Sequence, residues 1–255
     1  MAGEPSRDIR IGPLLAFALQ RTWHARDHLI RLGVLPSLVL LAAALPEMDV
    51  LTALLRGADT FGEADTTRLI PLGICYALII SVFAVNWVRQ LTLGQDAVPG
   101  LGLNIGLRHL KFLLFQMALA FGMLLGSTFL SLVLHPFGIS GMLTALMLGM
   151  LAWLATIARL SPSWIGIAID TRMPPAIAWK RTTGQGFKLV LALLAVEVPT
   201  MIVDQVAAIV FEVTGLIDAA PFTFLAILWV IELVRIALQI SLLVVTYPLF
   251  LRETV

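Results

Sequence analysis

The sequence predicts an all-α, polytopic membrane protein with six transmembrane helices in a single integral membrane domain of residues 1–255. Of the 255 residues, 59% are hydrophobic and only 13% are charged, whereas an ordinary soluble domain has about 25% charged residues. The mean hydropathy is +0.96. The apolar residues fall into six blocks, each near the length of about 20 residues that a helix needs to cross a bilayer.

The six predicted spans follow one another with short connections. They cover residues 29–45, 69–88, 110–134, 139–160, 187–211 and 222–250. The first is short and contains Pro36, and the sixth is long, which favours a tilted helix or an extension into the interface. A lone strand at membrane depth would leave backbone groups unpaired, so each span is predicted to be helical.

Basic residues mark alternate connections. They precede the first span and follow the second, fourth and sixth: Arg7, Arg10, Arg21, Arg26; Arg89, Arg108, Lys111; Arg159, Arg172, Lys180, Arg181, Lys188; and Arg252. The other connections are acidic or lack Lys and Arg, apart from Arg56 and Arg68, which five acidic residues outnumber. Because short cytoplasmic loops are enriched in Lys and Arg, both termini are predicted to be cytoplasmic.

Three of the basic segments resemble one another. Each begins with an aspartate, namely Asp8, Asp96 or Asp170, and continues with proline, a short apolar stretch, a basic cluster and a long apolar run. This pattern predicts three repeats of an interfacial segment plus a helical hairpin, unless every short cytoplasmic loop has this composition. The first segment is predicted to be amphipathic, with Ile11, Leu15 and Leu19 on one helical face.

Two predicted spans contain acidic and basic residues away from their ends, where such residues are costly and are therefore functional candidates. The fifth span has Glu197 and Asp204 on one face, and the sixth has the neighbours Glu232 and Arg235. If these spans form a hairpin around Gly215, Glu197, Glu232 and Arg235 lie at similar depth, with Asp204 nearer the outer surface. The cluster is either a gated polar site for an ion, proton or headgroup, or an ion-pair clasp between helices.

Arg89 and Arg159 follow the second and fourth spans at equivalent points. They are candidates for holding a lipid phosphate. The alternative is ordinary anchoring of the spans by positive charge at the cytoplasmic interface.

Small residues recur at four-residue spacing in the third and fourth spans. They are Ala118, Gly122 and Gly126, and Gly141, Ala145 and Gly149. Such residues permit close approach of two backbones, so we expect these helices to pack tightly against each other.

The sequence lacks the motifs of common enzyme and cofactor sites. It has no Gly-rich phosphate loop, HExxH or G-x-S-x-G. The lone Cys75 lies in an apolar block, and His24 and His28 form only a weak metal candidate as an i, i+4 pair. We therefore expect no cofactor, no metal and no enzymatic activity. The net charge of +1 shows no bias toward nucleic acid.

Two stretches carry a resemblance to a known family. Residues 83–114 contain W-x-R followed by L-G, and residues 158–190 contain A-R-L-S, an aspartate and A-W-x-x-T-x-G. The matching positions are Trp87, Arg89, Leu93 and Gly94, and then Ala158–Ser161, Asp170, Ala178, Trp179, Thr182 and Gly184. They resemble uncharacterised bacterial six-span membrane proteins, which are similar to the membrane domain of glycerophosphoryl diester phosphodiesterases. The resemblance implies the fold and a bacterial cytoplasmic (inner) membrane, but no active-site residue.

Two functions remain open at this point. The first is a non-enzymatic accessory or scaffold subunit of a membrane complex, or an envelope-homeostasis factor. The alternative is a small transporter or lipid-handling protein that uses the intramembrane charged cluster, since internal repeats are common in transporters. The expected partners are membrane lipids and, as a second class, other integral membrane proteins.

Overall fold

A computed structural model describes residues 9–55, 63–94, 97–102 and 105–251. Its helices are α1 (Ile11–His24), α2 (Arg26–Ala44), α3 (Met48–Leu55), α4 (Glu63–Leu93), α5 (Leu107–Leu134), α6 (Gly138–Ala168), α7 (Pro175–Arg181), α8 (Gly186–Val213), α9 (Leu216–Ala219) and α10 (Pro221–Leu251). These residues contain no strand. Six helical segments are long and apolar enough to cross a membrane, so the all-α, six-span, multi-pass prediction is confirmed.

The apolar blocks mark the centres of the helices better than their ends. α5, α8 and α10 begin and end close to the predicted bounds. α4 continues to Leu93 rather than Val88, and α6 continues to Ala168 rather than Leu160. Hydropathy indicates which residues lie at membrane depth, whereas a helix continues through polar interfacial residues for as long as its backbone hydrogen bonds are made.

α10 is the central helix of the bundle. It packs against α1, α2, α4, α6 and α8, whereas α5 lies outside, against α6 and α4. The second half of α10 is enclosed by protein, because Ile240–Val244 are all buried. A helix that is apolar on every side is expected in such a position.

The bundle is densest in one half. We call the end where α4 and α6 end and α8 begins the basic end, and the opposite end the acidic end. Five side chains from α4, α6, α8 and α10 are fully buried toward the basic end: Phe83, Trp87, Ile165, Leu189 and Leu242. Toward the acidic end a cavity opens among the helices.

α1 packs against the bundle through α10 and α8. Its buried residues are Leu14, Ala18 and Thr22. The predicted face is displaced from this stripe, because Ile11 and Leu15 are only partly buried and Leu19 is exposed. The contact with α10 determines which face of α1 is buried. The spacing of apolar residues within α1 does not predict this contact.

The three similar segments differ in conformation. The first contains α1 and the third contains the shorter α7, but residues 97–102 and 105–106 of the second form no α-helix. Asp8 and Asp96, which begin two of the segments, lie outside the described residues, as do Arg7, Arg56 and Arg252. The internal repeat therefore stays a prediction.

α5 and α6 pack along each other, as expected. Ala145 is buried, and a Cβ added at Gly149 would lie 3.9 Å from the Cβ of Ser127. At Gly141 an added Cβ would lie 2.1 Å from the carbonyl oxygen of Leu134, so the turn between the two helices requires glycine there.

Gly122 and Gly126 do not take part in this packing. A Cβ added at either residue would meet no atom within 4 Å, and Ala118 on the same face is exposed. The prediction is therefore wrong for the α5 residues. A four-residue spacing defines a face of the helix but does not specify which neighbour that face meets.

Candidate functional site

Packing of α8 against α10 brings three of the predicted charged residues together. Arg235 of α10 forms an ion pair with Glu197 of α8 and binds Glu232 one turn away, at 2.7 Å through Nε and 2.5 Å through Nη2. Gln239 donates its side-chain amide to the second oxygen of Glu197. The side chains of Glu197, Glu232 and Arg235 are only 12%, 17% and 24% exposed. The cluster is therefore largely shielded.

Tyr76 of α4 extends this cluster to a third helix. Its hydroxyl donates a 2.7 Å hydrogen bond to Oε1 of Glu232. Its ring meets that of Trp229 edge to face, with centroids 5.7 Å apart, and the Trp229 indole donates to Ser37 of α2 at 2.7 Å. We call Tyr76, Glu197, Glu232, Arg235 and Gln239 the charged network.

The contribution of Tyr76 was missed by the sequence reasoning. A signal was present, because the chain has only two tyrosines, and Tyr76 lies inside an apolar block. A tyrosine hydroxyl at membrane depth is expected to have a hydrogen-bond partner, because a polar group without one is costly in an apolar environment. Its partner is distant in sequence, however, and only the packing of α4 against α10 identifies it.

Asp204 occupies a different position from the other three charged residues. It follows Glu197 on α8 and lies toward the acidic end, a rise of about 10 Å along the helix. Among the described residues, Asp204 has no hydrogen-bond or ion-pair partner; it lines a cavity together with Gln205. The Asp204 carboxylate thus faces the cavity and is not paired with a cation of the described residues.

The acidic-end cavity has a volume of about 730 Å³ and lies between α2, α3, α4, α8 and α10. Its walls are largely apolar and include Leu40, Leu51, Leu69, Leu72, Phe224 and Leu228. Its polar lining comes from Tyr76, Asp204, Gln205, Glu232 and Arg235. Glu197 is not among the lining residues, so the charged network has one side buried between helices and another facing the cavity.

Arg68 fixes one wall of the cavity. Its guanidinium binds both carboxylate oxygens of Asp49 at 3.0 and 3.1 Å and Glu47 at 2.8 Å. These ion pairs tie the start of α3 to α4. Because α3 contributes Leu51 to the lining, the Arg68 contacts help to set the width of the cavity.

The charges that surround the cavity are not balanced. Glu197 and Glu232 share one guanidinium, and Asp204 has no counter-ion in this part of the chain. Arg235 is already engaged by two carboxylates, which leaves it little capacity to bind an added anion. The polar end of the cavity is therefore suited to a cationic or hydrogen-bond-donating group.

Arg89 and Arg159 are held by separate protein partners. Arg89 donates to the carbonyl of Ala168 at 3.1 Å and to Asp170 at 3.0 Å. Arg159 donates to the carbonyl of Trp179 at 2.8 Å and lies over the ring of that residue, 4.0 Å from its centroid. Along α6, Arg159 and Ala168 are about 13 Å apart. The two arginines therefore do not meet at one headgroup, and the binding of a lipid phosphate by either of them stays a prediction.

Two further polar clusters, toward the basic end, hold the bundle together. The Trp87 indole donates to the carbonyl of Ala237 at 3.0 Å and to Ser241 at 3.2 Å, and Thr22 of α1 donates to Ser241 at 2.8 Å. This cluster joins α1 and α4 to α10. Its members are short polar side chains within apolar helices, and sequence spacing alone does not pair them.

The second cluster holds the segment after α4 against the bundle. Asn86 donates to the carbonyl of Gly102 at 2.6 Å, and its oxygen lies 3.4 Å from Nε2 of His109. Gly102 has a φ of 75°, and an added Cβ would lie 2.8 Å from Leu32. The segment therefore requires glycine at this position.

Comparisons of the chain with protein-family models, with curated proteins and with solved structures give no significant match. The resemblance to bacterial six-span proteins therefore stays a prediction, and the geometry of the site is the basis for a functional proposal.

Proposed function

We propose that the protein is a non-enzymatic membrane protein that binds an amphipathic, lipid-like molecule in the acidic-end cavity. This proposal rests on one observation: a single cavity of about 730 Å³ has largely apolar walls and a charged end. Ligand cavities usually measure about 300–1,000 Å³ and combine apolar walls with a few polar groups. The geometry thus favours the lipid-handling alternative over the scaffold hypothesis.

The charges of the cavity indicate the polar group of the ligand. Asp204 lines the space without a counter-ion, and Arg235 is occupied by Glu197 and Glu232. An amine or quaternary ammonium group beside an acyl chain satisfies Asp204 and leaves the charged network intact. A ligand whose only polar group is an anion would meet a carboxylate with no compensating charge.

The sequence offered two interpretations of the cluster, an ion-pair clasp and a polar binding site. In this proposal each interpretation applies to different residues. Glu197 lies between helices and is bound by Arg235 and Gln239, so it acts as a clasp between α8 and α10. Asp204 and Glu232 line the cavity and are the groups that a ligand would contact. The ion pair of Glu197 with Arg235 therefore holds together the two helices that carry the proposed site.

The proposed orientation places the basic end in the cytoplasm of a bacterium and the cavity in the outer half of its inner membrane. The positions of Arg10, Arg21, Arg26, Lys180 and Arg181 at one end support it, since cytoplasmic loops are enriched in Lys and Arg. Alkaline phosphatase and fluorescent protein fusions at the His135–Phe137 turn and at the C-terminus would test this topology.

Gentle extraction followed by mass spectrometry of bound lipids tests the proposed function. We expect the unmodified protein to carry an enriched amine-bearing lipid, and the Asp204→Asn variant to lose it. Glu212→Gln is the matched control, because Glu212 is an exposed acid at the end of the same helix and does not line the cavity. Leu228→Trp, which narrows the cavity without removing a charge, should also displace the lipid.

Two outcomes would contradict the proposal. One is equal lipid content in the Asp204→Asn and Glu212→Gln variants. The other is a protein that retains no lipid and carries a stoichiometric protein partner, which would support the scaffold hypothesis.

One observation keeps an accessory or scaffold role as a second candidate. In the part of the chain that the structure describes, a Cβ added at Gly122 or Gly126 of α5 would meet no atom within 4 Å, and the apolar stretch of this helix has no buried residues. Small residues on an outward face permit another transmembrane helix to approach closely. If a protein partner co-purifies, Gly122→Leu should reduce its yield and leave the lipid content of the cavity unchanged.

A further inference from the structure

A second cavity lies at the basic end, separate from the cavity of the proposed function. It has a volume of about 770 Å³ and is formed by the start of α5, the end of α6 and the segment that leads into α7. We call it the basic pocket. Its charged lining residues are Arg108, Lys111, Asp170 and Arg172.

The charge of the basic pocket is predominantly positive. Asp170 accepts ion pairs from Arg108 and from Arg89, both at 3.0 Å. One carboxylate therefore serves two guanidinium groups. Lys111 and Arg172 have no hydrogen-bond or ion-pair partner among the described residues, and both side chains are exposed. Two cations thus line the pocket without a partner in the described part of the chain.

The wall that carries Asp170 and Arg172 is fixed by contacts with three helices. Thr171 donates its backbone N–H to Gly166 at 2.8 Å, and its hydroxyl lies 3.0 Å from the hydroxyl of Tyr247 on α10. Ser163 of α6 donates to the carbonyl of Met173 at 2.8 Å. Arg89 of α4 holds the end of α6 from the other side. These contacts orient the segment before any ligand binds.

The backbone of this wall adopts an uncommon conformation. Asp170 has a φ of 62°, a region in which L-residues other than Asn and Asp are rare. A Cβ at Gly166 would lie 3.0 Å from the carbonyl oxygen of Thr171, so a larger residue at this position would crowd the turn. The turn places Asp170 between two arginines and leaves the next basic residue, Arg172, facing the pocket.

The same pocket has an apolar side. Leu107, Phe115, Ile167 and Met173 line it together with the charged residues. Phe115 lies about 12 Å along α5 from Leu107, where the helix begins. The pocket therefore reaches from the basic interface, where Leu107 and Met173 lie next to the cations, toward membrane depth, where Phe115 lines it.

We infer that the basic pocket binds a phosphate-bearing anion through Lys111, Arg172 and Arg108, and that an anionic phospholipid is its source. The two cations that have no partner among the described residues can each pair with an oxygen of a phosphodiester monoanion. The apolar side matches the first part of an acyl chain, which a soluble phosphate lacks. The site does not depend on the acidic-end cavity, and its ligand has the opposite charge.

Lipid binding measured by native mass spectrometry tests this inference. The probe is phosphatidylglycerol, added to the purified full chain in a neutral detergent. We expect the double variant Lys111→Gln with Arg172→Gln to bind it about tenfold more weakly, because each cation near a membrane surface contributes substantially to anion binding. Neither residue has an intramolecular partner among those described, so the variant should fold normally by circular dichroism.

A matched control separates a site from general surface charge. The double variant Arg26→Gln with Lys180→Gln also removes two positive charges at the basic end but does not alter the pocket lining. Unchanged binding in this control supports the site. Equal weakening in the two double variants, or no weakening in the pocket variant, overturns it.

Competition distinguishes the two sources of phosphate. Glycerol 3-phosphate and inorganic phosphate carry the anion without an acyl chain. If they fail to displace phosphatidylglycerol at concentrations far above that of the lipid, the assignment to a lipid is supported. If either displaces it with lipid-like affinity, the ligand is a soluble phosphate and the lipid assignment is overturned.

Discussion

Replacing Arg235 with methionine tests how the charged network contributes to stability. The change removes the cation that Glu197 and Glu232 share while keeping a long apolar side chain. Afterwards Glu197 retains only the Gln239 amide and Glu232 retains only the Tyr76 hydroxyl. Two shielded carboxylates would then lie close together without a counter-ion.

The expected loss follows from the burial of these groups. Removing one partner of a buried ion pair costs about 3–5 kcal/mol, because the remaining charge stays desolvated. Each carboxylate here keeps one hydrogen-bond donor and is slightly exposed, so we expect the lower part of this range. Replacing all three charged groups, with Glu197→Gln, Glu232→Gln and Arg235→Met, should recover most of the stability, since no uncompensated charge remains.

Unfolding in bicelles or mixed micelles, followed by a folding-dependent probe, measures these differences. Arg26→Met is the matched control, because the Arg26 side chain is 52% exposed and its ion pair with Asp27 is long, at 3.9 Å. A surface pair of this kind contributes about 1 kcal/mol or less. The reasoning is refuted if Arg235→Met is no more damaging than the control, or if the triple variant is as unstable as the single variant.

Three further predictions concern the polar contacts and turns toward the basic end. Trp87→Phe removes both indole hydrogen bonds and leaves a void, so unfolding should become easier by about 2–4 kcal/mol; the same change at the 67% exposed Trp23 should have little effect. Gly102→Ala should cost about 1–3 kcal/mol, because it combines a positive φ with a clash. Gly12→Ala, in open space, should be neutral or slightly stabilising in the same unfolding assay. Asp170→Asn removes the carboxylate of the basic pocket and should tighten phosphatidylglycerol binding about fivefold; weaker binding would show instead that Asp170 organises the site.

The contacts of the charged network differ in whether sequence spacing predicts them. Glu232 and Arg235 are neighbours on one helix, and their contact follows from helical geometry. The pairing of Arg235 with Glu197 required the added assumption of a hairpin between the fifth and sixth spans. Tyr76 comes from α4, which is distant in sequence, so no local rule places its hydroxyl on Glu232.

The division of roles within the network is likewise a tertiary property. Glu197 and Asp204 lie on the same face of α8 and look equivalent in the sequence. α10 presents Arg235 and Gln239 to the first of them, whereas the cavity adjoins the second. Which acid pairs with Arg235 and which lines the cavity depends on where the neighbouring helices separate.

The sequence by itself determined the all-α class and the number and centres of the six spans, because the cost of exposing polar groups to lipid acts on each segment separately. The tertiary structure decided that α10 is the central helix, that Gly122 and Gly126 face outward, and that Arg89 and Arg159 have separate partners. In a membrane, helix association depends on close packing and a few polar contacts rather than on apolar area. Those features appear only when helices distant in the chain are placed side by side.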